Sequence, residues 1–465
     1  MSEESKTNAE WLELAGEYCL RHPMKTHPLV PVRGEGVYMW DAEGKKYMDF
    51  MSGQLCCSLG HSHPEFVEAI REQAGIMVQA GTTFSVPSEI LLAKKIAELA
   101  PDPLKRSLFA CTGSESNEMA LRVAKKATGR HETVGVAQNY HGSTMGSASA
   151  GGLGGFWREG YAPFLAGACV VPLPYYYRLP MCQNDGASTD EADDYLLHTT
   201  RELIDAGTTG RPAAFILEPL MGAAGMLVPS KKWMQGIRDI CDETGALMVI
   251  DEALTGWGRT GRWLCFEHFD IVPDIVTTSK GLGAGMSICA ITTTDEICER
   301  ALDNGFMHFS SHSGDPLLCA PSLKNLEIIE RDDLCGNAEN TGGYFLKRLQ
   351  ELEARYEIIG EARGLGFILG LETVTDKESR TPNPEAAGDI AEHCFQNGLW
   401  LTNVRPQMAP EQQAYQHRHF PMNIVRFMPP LTTTREELDI ALEILEAAVQ
   451  YAQERSPGPT QVSAG

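Results

Sequence analysis

Four places in the chain carry residue types that could do chemistry. Lys280 stands in TTSKGLGAG, directly after the apolar run DIVTTS (274–279). A lysine leaving a buried strand into a Gly-rich loop is partly desolvated, which lowers its pKa and makes the amine nucleophilic towards a carbonyl. The competing reading is an ordinary solvated lysine, the commoner case for this residue type. Asp251 closes ALMVIDE. A carboxylate at the end of an apolar strand is costly unless a cation answers it. A protonated pyridine nitrogen is such a cation, and a protonated ring drains electrons from a carbanion. The alternatives are a buried helix cap or a metal ligand, but only the neighbouring Glu252 has spacing suited to a shared metal.

The third place is Thr112-Gly113-Ser114-Glu115, between SLFAC and the helical pattern SNEMALRVAKKA. A hydroxyl–Gly–hydroxyl turn opening a helix offers free N–H groups and the positive end of the helix dipole, a seat for phosphate. The same letters read as a capping box, and both readings can hold. The fourth is Tyr140-His141-Gly142, after ETVGVAQN. An aromatic ring at a strand end can stack on a flat heteroaromatic ligand, or simply seal a sheet edge.

The elements that would position these residues are short apolar runs alternating with helices. The runs are SLFAC (107–111), ETVGVA (132–137), ACVVPL (168–173), AAFILEP (213–219), ALMVID (246–251), DIVTTS (274–279) and MSICAIT (286–292). Such runs suit strands buried on both faces, and the alternation suits a mostly parallel wound sheet. All four candidates then fall at strand ends, where open α/β sheets place ligands. Segments 63–77 and 87–99 have apolar residues three and four apart and read as amphipathic helices. VYMW (37–40) and KYMDF (46–50) read as a hairpin, and GFILGLETV (366–374) and NIVRFM (423–428) as short strands in a helix-rich C-terminal third. These patterns divide the chain into a large α/β domain over 65–325 and a smaller α+β domain built from 1–64 and 326–465. Residues 183–194 read as a surface loop leading into a helix, and 455–465 as a frayed tail.

The chain has 465 residues, with 39 Lys and Arg against 62 Asp and Glu, a net charge of −23. That balance, without a basic cluster, excludes nucleic acid and anionic membrane as expected partners. No apolar stretch approaches the ~20 residues of a membrane span. The acidic N-terminus lacks the pattern of a secretory signal or transit peptide. The thirteen cysteines form no C-x-x-C pair and read as reduced thiols of a cytoplasmic protein. Walker A, H-E-x-x-H and G-x-S-x-G motifs are absent.

The wording TGSESNEMALRVAKKATGR, NYHGST, ILEPLMGAAG, VIDEALTGWGRTGR, DIVTTSKGLGAG and VRFMPPLT resembles class III aminotransferases from about Leu29 to Tyr451. The resemblance implies an aspartate-aminotransferase-like fold (type I), with a mostly parallel seven-stranded sheet, and pyridoxal 5'-phosphate as cofactor. Within that class, MSGQLCCSLGHSHPE (51–65) and SSHSGDPL (310–317) resemble the 2,2-dialkylglycine decarboxylases. From this likeness, Lys280 is the Schiff-base lysine and proton carrier, and Asp251 faces the ring nitrogen. Thr112, Gly113 and Ser114 seat the phosphate, Tyr140 stacks on the ring, and Glu218 stands near the cofactor. Arg426 grips the α-carboxylate of an amino or keto acid, in the two-point mode suited to guanidinium. Gln54 holds a carboxylate to be lost, and fixing that bond perpendicular to the ring is what selects it for cleavage; a loop amide bonded to backbone is the plainer reading. Ser311 reaches the phosphate across a dimer interface, implying a homodimer or a dimer of dimers. Asp315, Ser311, Ser313 and Thr82 match an alkali-cation (K or Na) site.

The chain departs from the decarboxylases at Tyr140, where they carry tryptophan, and at Leu254, where they carry glutamine. Its segment 405–422 is longer and precedes Arg426. The expected activity is decarboxylation-dependent transamination of a small 2,2-disubstituted amino acid, with pyruvate or another 2-keto acid as acceptor. The alternative is a non-decarboxylating ω-aminotransferase.

Overall fold

The computed structural model describes residues 6–20, 27–153, 160–161, 165–182, 188–402 and 422–456. Strands β1 (Pro31–Glu35), β2 (Tyr38–Asp41) and β3 (Lys46–Asp49) form an antiparallel meander at the N-terminal end. The central sheet follows: β4 (Arg106–Ala110), β5 (Thr133–Val136), β6 (Ala168–Val171), β7 (Ala214–Leu217), β8 (Leu247–Asp251), β9 (Ile275–Thr278) and β10 (Cys289–Thr293). Their order is β4-β10-β9-β8-β7-β5-β6. Pairs from β6 through β9 are parallel, and only β10 runs against its neighbours β9 and β4. This is the mostly parallel seven-stranded sheet of fold type I. Every residue of β5, β7, β9 and β10 is buried, which explains the unbroken apolar lettering.

The helix Gly113–Thr128 lies across this sheet, against β4, β7, β8, β9 and β10. Alanines 120, 124 and 127 on its buried face let it approach closely. The helices expected over 63–77 and 87–99 run Pro64–Ile76 and Pro87–Leu99.

In the C-terminal third, β11 (Ile359–Leu365), β12 (Ile368–Thr373) and β14 (Ile424–Phe427) form an antiparallel sheet. The two-residue β13 (Leu399–Trp400) pairs in parallel with β3, so the N-terminal arm and the C-terminal third share a four-stranded sheet. Pattern reading missed β1 and β11. In β1 only Gly34 is even partly buried, and β11 carries Glu361 and Arg363 where a core strand would carry apolar residues. Residues 183–187 and 457–465 lie outside the described residues; the helix expected after the 183–194 loop already begins at Asp190, inside the stretch read as loop, because Thr189 caps it, and the final helix runs through Arg455, the first residue of the expected tail. All thirteen cysteines are free thiols. Among the described residues no helix is long and apolar enough to cross a membrane.

Candidate active site

β8 and β9 are parallel neighbours, with Asp251 opposite Thr277. The chain therefore leaves both strands at the same, C-terminal end, and Lys280 follows three residues after Thr277. Lys280 has φ +28° and starts a short turn, Lys280–Gly283, that bends the chain off the strand. Asn325 and Ser58 pin that turn by donating to the Gly281 carbonyl. Asp251 is 3% exposed. Its Oδ2 accepts from Asn117 Nδ2 and lies against His141 Nδ1, each at 2.8 Å, and its Oδ1 accepts the Ala253 N–H at 3.0 Å. Burial pushes this carboxyl's pKa up. The His141 contact, the Ala253 N–H and the nearby Lys280 ammonium outweigh burial and hold it below the ordinary value. The amine therefore stands within electrostatic reach of the carboxylate.

The turn before the helix Gly113–Thr128 abuts the same strand ends. A Cβ on Gly113 would lie 3.6 Å from the Cβ atoms of both Ala253 and Ser279. Thr112 Oγ1 accepts the Glu115 N–H at 3.3 Å, while the Glu115 carboxylate reaches back to the Cys111 N–H at 3.0 Å. The capping box therefore closes one residue early. Ser114 Oγ accepts the Ser143 N–H at 3.0 Å. Gly142, at φ +127°, crosses so close that a Cβ there would sit 2.3 Å from Ser114 Oγ. One turn into the helix, Asn117 Nδ2 also donates to the His141 carbonyl at 2.7 Å. The turn at 112–114, the 140–143 corner and Asp251 are thereby locked together.

Tyr140 is 36% exposed, and its hydroxyl lies 3.0 Å from Ser143 Oγ. Its N–H donates to Glu218 Oε1 at 2.9 Å, and the Gly222 N–H donates to Glu218 Oε2 at 3.0 Å. Burial raises the Glu218 pKa to about 7; His141 and the two N–H groups oppose the rise, and the Asp251 charge adds to it. Arg426, on β14, donates from Nη2 to the Ala223 carbonyl at 3.3 Å. Burial lowers its pKa to about 10, Glu218 acting to raise it and Arg363 to lower it further. Glu218 and Arg426 are thus electrostatic neighbours.

Gln54 lies in the loop after β3. Asp49 organises that loop by accepting the Met51 and Gly53 N–H groups at 2.9 and 2.7 Å and by facing His61 Nε2 at 2.8 Å. Ser52, Gly53 and Leu55 have φ of +42°, +68° and +61°. Gln54 is exposed, and two residues on, the Cys56 thiol feels the Lys280 and Arg259 charges. Ser311 is exposed, and its carbonyl accepts from Gln79 Nε2 at 2.8 Å. Ser313 Oγ donates to the Phe109 carbonyl at 2.7 Å, and Asp315 pairs with His312 Nδ1 at 2.7 Å. This segment therefore borders the end of β4, next to the turn at 112–114. Thr82 is half-buried in the loop that precedes the helix Pro87–Leu99. Among the described residues no cluster of three or more His, Cys, Asp or Glu side chains could hold a metal ion. Of segment 405–422, only Met422 is among the described residues.

Sequence reasoning missed Asn117, Asn139 and Thr277. Asn139 Oδ1 accepts the Glu218 N–H at 2.9 Å, and Thr277 Oγ1 donates to Asn117 Oδ1 at 2.7 Å. Their one signal was an amide or hydroxyl inside an otherwise apolar face. His141 was read only as Tyr140's neighbour.

The donor set suits pyridoxal phosphate: a buried carboxylate held ionised for the ring nitrogen, an amine for the aldehyde carbon, and helix N–H groups for the phosphate. The chain matches the family described as Aminotransferase class-III over residues 20–449. It is 31% identical over 449 residues to a probable 4-aminobutyrate aminotransferase of Bacillus subtilis, covering 96% of this chain and 98% of that one. It is 32% identical to an alanine/serine racemase of Pyrococcus horikoshii, covering 92% and 87% respectively. Among solved structures, the (S)-enantioselective omega-transaminase of Thermomicrobium roseum superposes with a TM-score of 0.85 at 32% identity, over 97% of this chain and 99% of that one. Matched along nearly its whole length in both sequence and fold, the chain belongs to the class III aminotransferases.

Proposed function

We propose that the protein is a pyridoxal phosphate-dependent aminotransferase that moves an amino group from an amine or ω-amino acid to a 2-keto acid without releasing CO2. The observation that carries this reading is the convergence of Lys280 and Asp251 at the C-terminal end of β8 and β9, with Glu218 and Arg426 as a coupled pair beside them. The cofactor, when bound, supplies an electron sink for the carbon that loses a proton. The chain's own residues do the rest. Lys280 Nζ takes the proton from the substrate carbon and returns one. Asp251 holds the ring nitrogen protonated. Arg426 binds a substrate carboxylate through two parallel N–H bonds. When the substrate has no carboxylate there, an ionised Glu218 answers the Arg426 charge. Leu254 favours this reading over decarboxylation: where the decarboxylases carry an amide, its Cδ2 fills the space a Cβ on Gly222 would need, at 2.1 Å.

Decarboxylation is the second reading, with Gln54 fixing the departing carboxylate. It is favoured by the position of that loop, whose Cys56 feels the Lys280 charge. Two further proposals accompany the site: a homodimer in which Ser311 meets the partner's phosphate, and an alkali cation near Asp315. Sedimentation and activity in K⁺-free buffer test them.

The deciding experiment incubates yellow holoenzyme with an amino donor and pyruvate, with 2-aminoisobutyrate and pyruvate, and with L-alanine alone. Amine or 4-aminobutyrate with pyruvate should yield alanine and no CO2. If 2-aminoisobutyrate with pyruvate evolves CO2 at a higher kcat/KM, decarboxylation replaces the present reading. If L-alanine alone becomes racemic faster than any amino transfer, the protein is a racemase. Lys280→Ala should abolish the borohydride-reducible link to the cofactor.

A further inference from the structure

On the three-stranded sheet, Arg363 of β11 pairs with Gly370 of β12, and Gly370 pairs with Arg426 of β14. Directly paired residues point to the same face of a sheet. Because Gly370 has no side chain, the two guanidiniums reach out on either side of a gap, towards one loop. Arg363 Nε donates to the Gly225 carbonyl at 2.9 Å, and Arg426 Nη2 to the Ala223 carbonyl at 3.3 Å. Met226 occupies the gap: a Cβ on Gly370 would lie 3.2 Å from Met226 Cβ.

The next row on the same face pairs Glu361 with Glu372. Two carboxylates side by side in a buried site repel strongly unless cations close them. Arg363 Nη1 bonds both, to Glu372 at 2.6 Å and to Glu361, and Arg178 and the Tyr175 hydroxyl also close on Glu372. Arg363 is therefore held by two carboxylates, one carbonyl and, at 3.4 Å, the Tyr175 hydroxyl. Its charge still reaches Arg426 and lowers that residue's basicity. A purely structural clamp would need only the Nη1 bonds. The Nε bond to Gly225, two residues from the carbonyl that Arg426 uses, ties the clamp to the substrate arginine.

We propose that Arg363 is a positioning residue: clamped by Glu361 and Glu372, it fixes the 223–225 carbonyls and so aims Arg426 at substrate carboxylates. The proposal rests on Arg426 being the carboxylate grip.

Two variants test it, each as holoenzyme. Arg363→Lys keeps a cation for Glu361 and Glu372 but cannot also hold Gly225. Gly370→Ala changes no charge and pushes on Met226, and hence on the loop. Two readouts are compared: the dissociation constant of pyruvate, by calorimetry, and single-turnover amino transfer from 1-phenylethylamine, which has no carboxylate. Both variants should weaken pyruvate at least tenfold and leave the amine reaction within about twofold. Equal losses in both readouts would make Arg363 merely structural and overturn the proposal, as would unchanged pyruvate binding. If Arg363→Lys does not fold, the Gly370→Ala result decides. Arg426→Leu separates the two layers. If it too leaves pyruvate binding intact, the grip assigned to Arg426 is wrong; if it alone loses pyruvate, only the role of Arg363 is.

Discussion

Replacing Asp251 by asparagine keeps the shape of the side chain and removes its charge. Four donors converge on this carboxylate: Asn117 Nδ2 and His141 Nδ1 on one oxygen, and the Ala253 N–H and, at 3.4 Å, the Thr277 hydroxyl on the other. An asparagine has one oxygen. In its better orientation that oxygen serves Asn117 and His141, and its NH2 then faces the Ala253 N–H, donor against donor. Leaving a buried donor unpaired costs about 1–3 kcal/mol, which should appear as lost stability. The catalytic cost is larger, because the anion that answers the ring cation is gone. Removing one member of a buried charge pair costs about 3–5 kcal/mol. At about 1.4 kcal/mol per tenfold in rate, that is roughly 10²–10⁴ in kcat/KM. The assay is steady-state amino transfer by Asp251→Asn, with thermal unfolding of the same samples and absorbance to establish cofactor loading. A fully loaded variant whose kcat/KM stays within about threefold of wild type would refute the assignment of Asp251 to the ring nitrogen.

Other outcomes follow from the same geometry. Glu218 is protonated more readily in the fold, with a pKa of about 7, than in the unfolded chain at 4.5, so its contribution to stability falls as pH rises from about 4.5 to about 7 and is then level. Glu218→Gln should remove up to roughly 3 kcal/mol of that fall, read as the difference between the two stability–pH curves; identical curves would mean that Glu218 ionises normally. The His61 pKa is also raised, chiefly by its bond to Asp49, to about 10. Its stabilisation is full below about pH 6.5 and fades towards pH 10, so the Tm advantage of wild type over His61→Gln should shrink across that window. Gly142→Ala forces a Cβ onto Ser114 and should weaken cofactor binding about tenfold or more, by fluorescence titration; unchanged affinity would remove Ser114 from the phosphate seat.

The central sheet was legible because its inner strands are buried on both faces and so spell continuous apolar runs, with the chemistry placed just past their ends. Lys280, Asp251 and Thr112 could be picked out for that reason. β11 escaped because its charges, half-buried Glu361 and buried Arg363, are neutralised only in three dimensions, by each other and by partners on β12 and in the 175–178 turn. Asn117 escaped for a similar reason: one amide on a helix face has no meaning until the strand end it serves is known. Substrate choice was the least legible feature. The decarboxylase-like words around Gln54 fix the conformation of a loop, while the groups proposed to choose the substrate, Tyr140, Glu218, Leu254 and Arg426, lie from 86 to 372 residues further along the chain.

The parallel pairing of β3 with β13 couples assembly of the catalytic centre to the order of synthesis. Met48 and Asp49 emerge from the ribosome some 350 residues ahead of their partners Leu399 and Trp400. Until those partners arrive, β3 is an unpaired sheet edge, open to association with other nascent chains. The loop that Asp49 organises over Lys280 cannot settle before then. Nascent fragments ending before residue 399 should therefore be aggregation-prone and inactive even when the seven-stranded sheet has already formed.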